Sequence, residues 1–304
     1  MYLEHFGLRE KPFSLTPNTN YYCDASSAQE AYNTVLFAIR SGEGFIKIVG
    51  EVGTGKTLLC RKILNTLDDN FITAYIPNPS LTPHNLMKAL AQELGIEVPN
   101  HSDINYTQRL ISDTLLEYNQ QDKKVLFIID EAQALCDDSL EMLRLLSNLE
   151  TESSKLLQII LFGQPELNER LSKYEFRQLN QRIIFSCQLS PLNREELDAY
   201  ITHRLSVAGN TQGNLFSKKA KDYLQHYSSG KPRIINILAH KALLLAYGKG
   251  HHTVTHQDVT GAAKDSEEII NDDSASTRLL TVLAIISVGA AIAVYAVRFG
   301  NLLY

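Results

Sequence analysis

The chain has 304 residues, 44% hydrophobic and 21% charged, an ordinary globular composition with room for one large or two modest domains. Its formal net charge of −5 speaks against a nucleic-acid partner, because such binders usually carry a basic surplus. Cys23, Cys60, Cys136 and Cys187 lack metal-ligand spacing and read as reduced thiols of a cytosolic domain, most of them filling core positions.

The start, Met1-Tyr2-Leu3-Glu4-His5-Phe6, has neither a basic stretch nor an apolar run, so no signal peptide is expected. Residues 1–25 are rich in turn formers and aromatics without a sustained period, which predicts an ordered irregular arm. Ser26 and Ser27, followed three residues later by Gln29 and Glu30, predict a capping box opening a helix to about Arg40. Phe45-Ile46-Lys47-Ile48-Val49 then reads as a short buried strand.

That strand runs into Gly50-Glu51-Val52-Gly53-Thr54-Gly55-Lys56-Thr57, which fits the phosphate-binding pattern G-x-x-x-x-G-K-S/T. Glycines let the backbone curl so that successive N–H groups point at phosphate oxygens. Lys56 supplies a charge for the β- and γ-phosphates, and the Thr57 hydroxyl is placed to ligate a magnesium ion. Apolar residues at 58, 59, 63, 64 and 67 give the following segment a helical period, and its N-terminus would face the triphosphate of ATP.

A second strand is predicted at 71–76, and a helix from Pro83, capped by Thr82, to Leu94. Another helix covers 104–119. Val125 to Ile129 is apolar on both faces, as a central parallel strand requires, and delivers Asp130 and Glu131 to the nucleotide edge. Asp130 would hold magnesium through its water shell, and Glu131 would orient the water that attacks the γ-phosphate. A leucine stripe predicts a helix over 138–150. Further strands follow at 156–162 and 183–189. Gln164, at the end of the fourth strand, reads either as a group reaching the γ-phosphate or as a turn residue. Arg177 and Arg182, before the fifth strand, can equally be surface ion-pair partners.

From Pro191 only helices are predicted, at 193–207, 217–227 and 232–247, which marks a small helical domain over 191–265. Arg233, in Gly230-Lys231-Pro232-Arg233, is placed to close over a nucleotide. His251, His252 and His256 read as a solvated loop without metal spacing. Residues 266–278 are polar and acidic, a linker. Residues 279–297 carry no charge over nineteen positions and predict a transmembrane helix, at about 1.5 Å rise per residue against a bilayer core of about 30 Å. Residues 298–304 form a tail.

In sum, the motifs predict an arm and helix over 1–44 and an α/β core with a five-stranded parallel sheet over 45–190, followed by the helical lid. The order of strands and the lid with Gly230-Lys231-Pro232-Arg233 resemble the AAA+ plan. More narrowly, the chain is similar to the ExeA (general secretion pathway component A) family, in particular to its branch in MSHA-type pilus biogenesis. The resemblance is carried by Phe6 to Phe13 with Thr16-Pro17-Asn18, by Gly50 to Thr57, by Ile129 to Gln133, by Leu161 to Leu167 and by Gly230 to Asn236. It implies a P-loop ATPase using ATP and Mg2+, with Gln164 at the sensor-1 place, Arg233 at the sensor-2 place, and Arg177 or Arg182 as an arginine finger toward a neighbouring subunit. It further implies a homo-oligomer, ring or dimer. Its domain would be cytoplasmic, anchored to the bacterial inner membrane beside pilus or secretion assembly proteins. The secretion member of the family continues past its membrane helix into a periplasmic peptidoglycan-binding domain; with Tyr304 as the last residue, pilus assembly is the expectation here. A DNA-dependent ATPase of the transposition-helper kind is the alternative, and the acidic balance and the apolar C-terminal segment speak against it.

Overall fold

The computed structural model describes residues 2–23, 25–99, 101–152, 154–210 and 215–266. The chain starts with α1 (Tyr2–His5) and α2 (Ser26–Arg40), then alternates strands and helices: β1 (Phe45–Gly50), α3 (Lys56–Thr66), β2 (Phe71–Ile76), α4 (Pro83–Glu93), α5 (Ile104–Gln120), β3 (Lys124–Ile129), α6 (Asp137–Leu146), β4 (Gln158–Gly163), α7 (Pro165–Leu171), α8 (Arg177–Asn180) and β5 (Phe185–Leu189). All five strands are parallel, in the order β2-β3-β4-β1-β5. Burial follows that order. The interior strands β1 and β4 are buried at every residue and β3 at all but its first, whereas the edge strands β2 and β5 are only partly covered. An interior parallel strand has helices on both faces, which is why these runs are continuously apolar.

Successive side chains of one strand enter opposite cores. Val125, Phe127 and Ile129 pack with α4 to α8, while Leu126 and Ile128 pack with α2 and α3. Because the strands are parallel, Gly50, Asp130 and Gln164 all emerge at one edge of the sheet, and Arg177 and Arg182 lie before the amino-terminal end of β5, at the other.

Beyond the sheet come α9 (Arg194–Val207), α10 (Lys218–Ser228), α11 (Pro232–Gly248) and α12 (His256–Lys264). Their apolar faces share one core with Phe6, Leu8, Phe13 and Tyr21 of the N-terminal arm. The arm is therefore built into the helical unit. Buried Arg204 pins it there, donating from Nε to the Pro12 carbonyl at 2.6 Å and from Nη2 to that of Ser14 at 3.3 Å. The capping box expected at Ser26 is not formed: Ala25 is the N-cap and has no side-chain hydrogen bond. Instead the Ser26 N–H donates to Glu196 of α9 at 2.9 Å, and Glu196 also closes the capping box of its own helix on Asn193. One carboxylate thus serves two helix starts.

His256 is the first residue of α12 rather than part of a loop, and Thr255 with Asp258 caps that helix. His252 instead stacks on His5 of α1, ring centroids 4.3 Å apart. Among the described residues no His, Cys, Asp and Glu cluster could hold a metal ion, and no helix is long and apolar enough to cross a membrane. The predicted transmembrane segment 279–297 lies outside the described residues.

Within the helical unit, the turn before α11 packs on the backbone leading into α9 with no room for a side chain. Gly230 has φ +76°, Leu192 N–H donates to its carbonyl at 2.8 Å, and a Cβ there would lie 2.1 Å from the Leu192 carbonyl oxygen. Backbone cannot step aside cheaply. Gly230→Ala is expected to cost about 3 kcal/mol, a fall in Tm of roughly 5 °C for a chain of this size. Gly248→Ala, at a helical glycine where a Cβ meets nothing within 4 Å, should leave Tm unchanged or slightly raised. Thermal melts of the two variants check the contrast.

Candidate nucleotide-binding site

Gly50 ends β1 where a Cβ would approach Thr54 Oγ1 to 2.7 Å and Leu189 Cβ to 2.9 Å. Gly53 and Gly55 have φ of +79° and +102°, conformations that side chains rarely adopt. The resulting loop hands over to α3 at Gly55, an N-cap without a side chain to bond the first N–H groups of the helix. Those donors and the helix dipole make an anion site. Lys56 is buried beside it, donating to the carbonyls of Gly50 at 2.7 Å and Glu51 at 3.0 Å. Burial lowers its pKa, against the opposing charges of Glu131 and Asp130.

The acids of β3 meet this loop. Thr57 Oγ1 donates to Asp130 Oδ2 at 2.8 Å, Tyr75 OH reaches the same oxygen at 3.5 Å, and Glu131 N–H donates to Oδ1 at 2.9 Å. Burial raises the Asp130 pKa, partly offset by the bonds from Thr57 and the Glu131 N–H. A half-buried hydroxyl beside a buried carboxylate, both hard oxygen donors, suits a divalent cation such as Mg2+, so Thr57 and Asp130 are the residues that would hold it. Glu131 behaves differently. Burial acts to raise its pKa, but hydrogen bonds from Gln133 and Gln164 and the charge of Lys56 outweigh it and hold the carboxyl below its usual range. It stays ionised, as an acceptor for a water proton must.

A cavity of about 360 Å3 opens over the loop, bordered by Val52, Lys56, Thr57 and Glu131 on one side and by Arg233 and Asn236 of α11 on the other. Arg233 N–H donates to the Gly53 carbonyl at 3.2 Å, and a Cβ on Gly53 would strike Arg233 Cβ at 2.7 Å. The lid thus rests on the phosphate loop itself.

Residues 39–171 match the family described as AAA domain. General secretion pathway protein A of Aeromonas hydrophila is 39% identical over 284 residues, 93% of this chain and 52% of that protein. Residues 39–171 are thus an AAA domain. The chain spans about half the length of that curated relative. Among solved structures, Cdc6p from Pyrobaculum aerophilum aligns with a TM-score of 0.63 over 84% of this chain and 70% of its own, at 16% identity. The Aeropyrum pernix ORC2 protein gives 0.59 over 85% and 72%, also at 16%. The Thermotoga maritima RuvB branch migration motor gives 0.53 over 78% and 68%, at 15% identity. At such identities the likeness establishes the AAA fold alone.

Against that plan, the structure brings together Gly50 to Thr57, Asp130, Glu131, Gln164 and Arg233. Gln164 is no idle turn residue, since its Nε2 donates to Glu131 Oε2 at 3.1 Å. Arg177 and Arg182 stay away from their own chain's phosphate loop. Arg177 is exposed, its guanidinium 5.1 Å from the centre of the Tyr174 ring, while Arg182 is half-buried and donates to the Ser147 carbonyl and hydroxyl. Several contributors carry no local motif. Ser14 to Asn18 of the arm form a wall of the cavity, tied to α3 by Arg61 donating to the Pro17 carbonyl at 3.0 Å. Tyr200 and Arg204 line it from α9, with Tyr200 OH bonded to Asn236 at 2.9 Å. The Phe6 to Asn18 signature was the one sequence signal pointing to that wall.

Proposed function

We propose that this chain binds Mg–ATP in the AAA cavity, hydrolyses it, and uses the cycle to drive or regulate assembly of a type II secretion machine or a type IV, MSHA-like pilus at the inner membrane. The observation that carries the chemistry is the convergence of Thr57, Asp130 and Glu131 at the mouth of the phosphate loop, with Glu131 held as a carboxylate. The loop N–H groups and Lys56 bind the phosphate chain, Gln164 and Glu131 orient the attacking water, and Glu131 accepts its proton. Held by Thr57 and Asp130, a magnesium ion would supply neutralisation of phosphate charge.

The envelope role rests on the likeness to General secretion pathway protein A over 93% of this chain and on the apolar run 279–297. Small residues at Ser287, Gly289, Ala291 and Ala293 suit close approach of a partner helix. The placement of Arg177 and Arg182 at the sheet edge opposite the phosphate loop favours a homo-oligomer in which one of them serves a neighbour.

Fractionation after gentle lysis, with ATP turnover measured in each fraction, tests the whole reading. Full-length protein should sediment with membranes, whereas a chain ending at Arg278 should be soluble and keep its turnover. Full-length protein wholly in the soluble fraction would contradict anchoring. Turnover stimulated at least tenfold by DNA would move the assignment to the transposition-helper class.

A further inference from the structure

Glu131 sits on a left-handed backbone at φ 52°, a costly conformation for a side-chain-bearing residue that persists only where its surroundings fix it. Its backbone is held by its own N–H donating to Asp130 Oδ1 at 2.9 Å and by the Ala134 N–H donating to its carbonyl at 2.9 Å, and its carboxylate is held by Gln133, two residues on. Gln133 Nε2 donates to Glu131 Oε2 at 2.6 Å while its Oε1 accepts from the Gln164 N–H at 3.0 Å. A single amide orientation satisfies both bonds. Gln164 completes the ring by donating its own Nε2 to the same Glu131 oxygen. The turn that carries Gln133 is clamped from α7, where Arg170 donates to the carbonyls of Gln133 at 2.9 Å and Leu135 at 2.6 Å and pairs with Asp137.

Two donors therefore converge on Oε2, while Oε1 has no hydrogen-bond donor among the described residues and Glu131 borders the cavity. Pinning one oxygen by two bonds leaves the other free and directionally fixed, which is what an acceptor for an attacking water needs. We propose that Gln133 is a positioning residue for hydrolysis: it holds Glu131 to the end of β4, so that the water-orienting carboxylate and Gln164 move as one body. The proposal rests on the hydrolytic reading of the site given above.

The test is Gln133→Glu, of equal size, with Gln133→Ala beside it. The carboxylate variant keeps an acceptor for the Gln164 N–H but replaces the donor facing Glu131 by a like charge. Gln133→Glu should lower kcat at least about tenfold and leave ATP affinity within about twofold, a split that a merely structural role would not produce. Gln133→Ala, which removes the donor without adding a charge, should lower kcat less, again at unchanged ATP affinity. Bound ATP and an unchanged Tm report that both variants are folded. If both keep the wild-type kcat in a protein whose Glu131→Gln form is inactive, the inference falls and the ATPase reading stands. A wild-type chain that turns over no ATP would overturn both.

Discussion

Glu131→Gln is expected to bind ATP as tightly as the wild-type chain and to hydrolyse it at least about a hundredfold more slowly, whereas Lys56→Ala should no longer retain the nucleotide. The two outcomes differ because the side chains act at different moments. Lys56 lies against the phosphate loop, bonded to the carbonyls of Gly50 and Glu51, so its charge is felt by the bound ground state and its loss should cost about a hundredfold or more in affinity. Glu131 is hydrogen-bonded through its carboxylate to Gln133 and Gln164, not to the loop. The substituted amide keeps an oxygen that can accept from those two glutamines, so the pocket survives while proton acceptance is lost. Equilibrium binding of labelled ATP beside single-turnover hydrolysis separates the two effects. Wild-type turnover by Glu131→Gln would show that the acidic pair is misassigned.

If the proposed finger is Arg177 or Arg182, alanine at that position is expected to lower turnover by about 10³–10⁵-fold, and mixing that variant with Lys56→Ala should restore part of it. Neither arginine lies at the edge of the sheet where its own chain's phosphate loop sits, so one acting on phosphate must come from a neighbouring chain. In a random equal mixture, about one contact in four pairs an intact nucleotide site with an intact arginine, which sets the ceiling of rescue near a quarter of the wild-type rate. The two arginines differ in their present commitments: Arg177 is exposed against Tyr174, and Arg182 is bonded to Ser147. Rescue with one variant and not the other identifies the finger. Mixed oligomers without rescue from either would exclude a finger acting between chains.

What could be read from the sequence was what local chemistry specifies. The phosphate loop is a contiguous motif, β3 is a doubly apolar run ending in two acids, and Thr82-Pro83 opens α4 as its residues dictate. What escaped depends on partners far along the chain. Ser26 is capped by Glu196 rather than by its own Gln29 or Glu30, a contact between residues 170 apart. Helix α7 was hidden because Gly163-Gln164-Pro165 reads as a turn, although Pro165 occupies the first helical turn, where proline is favoured. Helix α12 was hidden by its histidines, and by a capping box that uses Asp258 in place of the more usual Glu or Gln. The docking of the arm into the lid, and the hold of Gln133 and Gln164 on Glu131, are long-range packing that no periodicity encodes.

The central claim is that one nucleotide is held between the phosphate loop, the acids of β3 and the lid. A crystal structure of the chain with Mg2+ and a non-hydrolysable ATP analogue tests it most directly. The account predicts the phosphates on the N–H groups of Gly53 to Thr57, with the metal beside Thr57 and Asp130. It places Glu131 and Gln164 at the γ-phosphate and the base between the lid and residues 14–18 of the arm. A nucleotide bound elsewhere, or a metal held without Thr57 and Asp130, would contradict it.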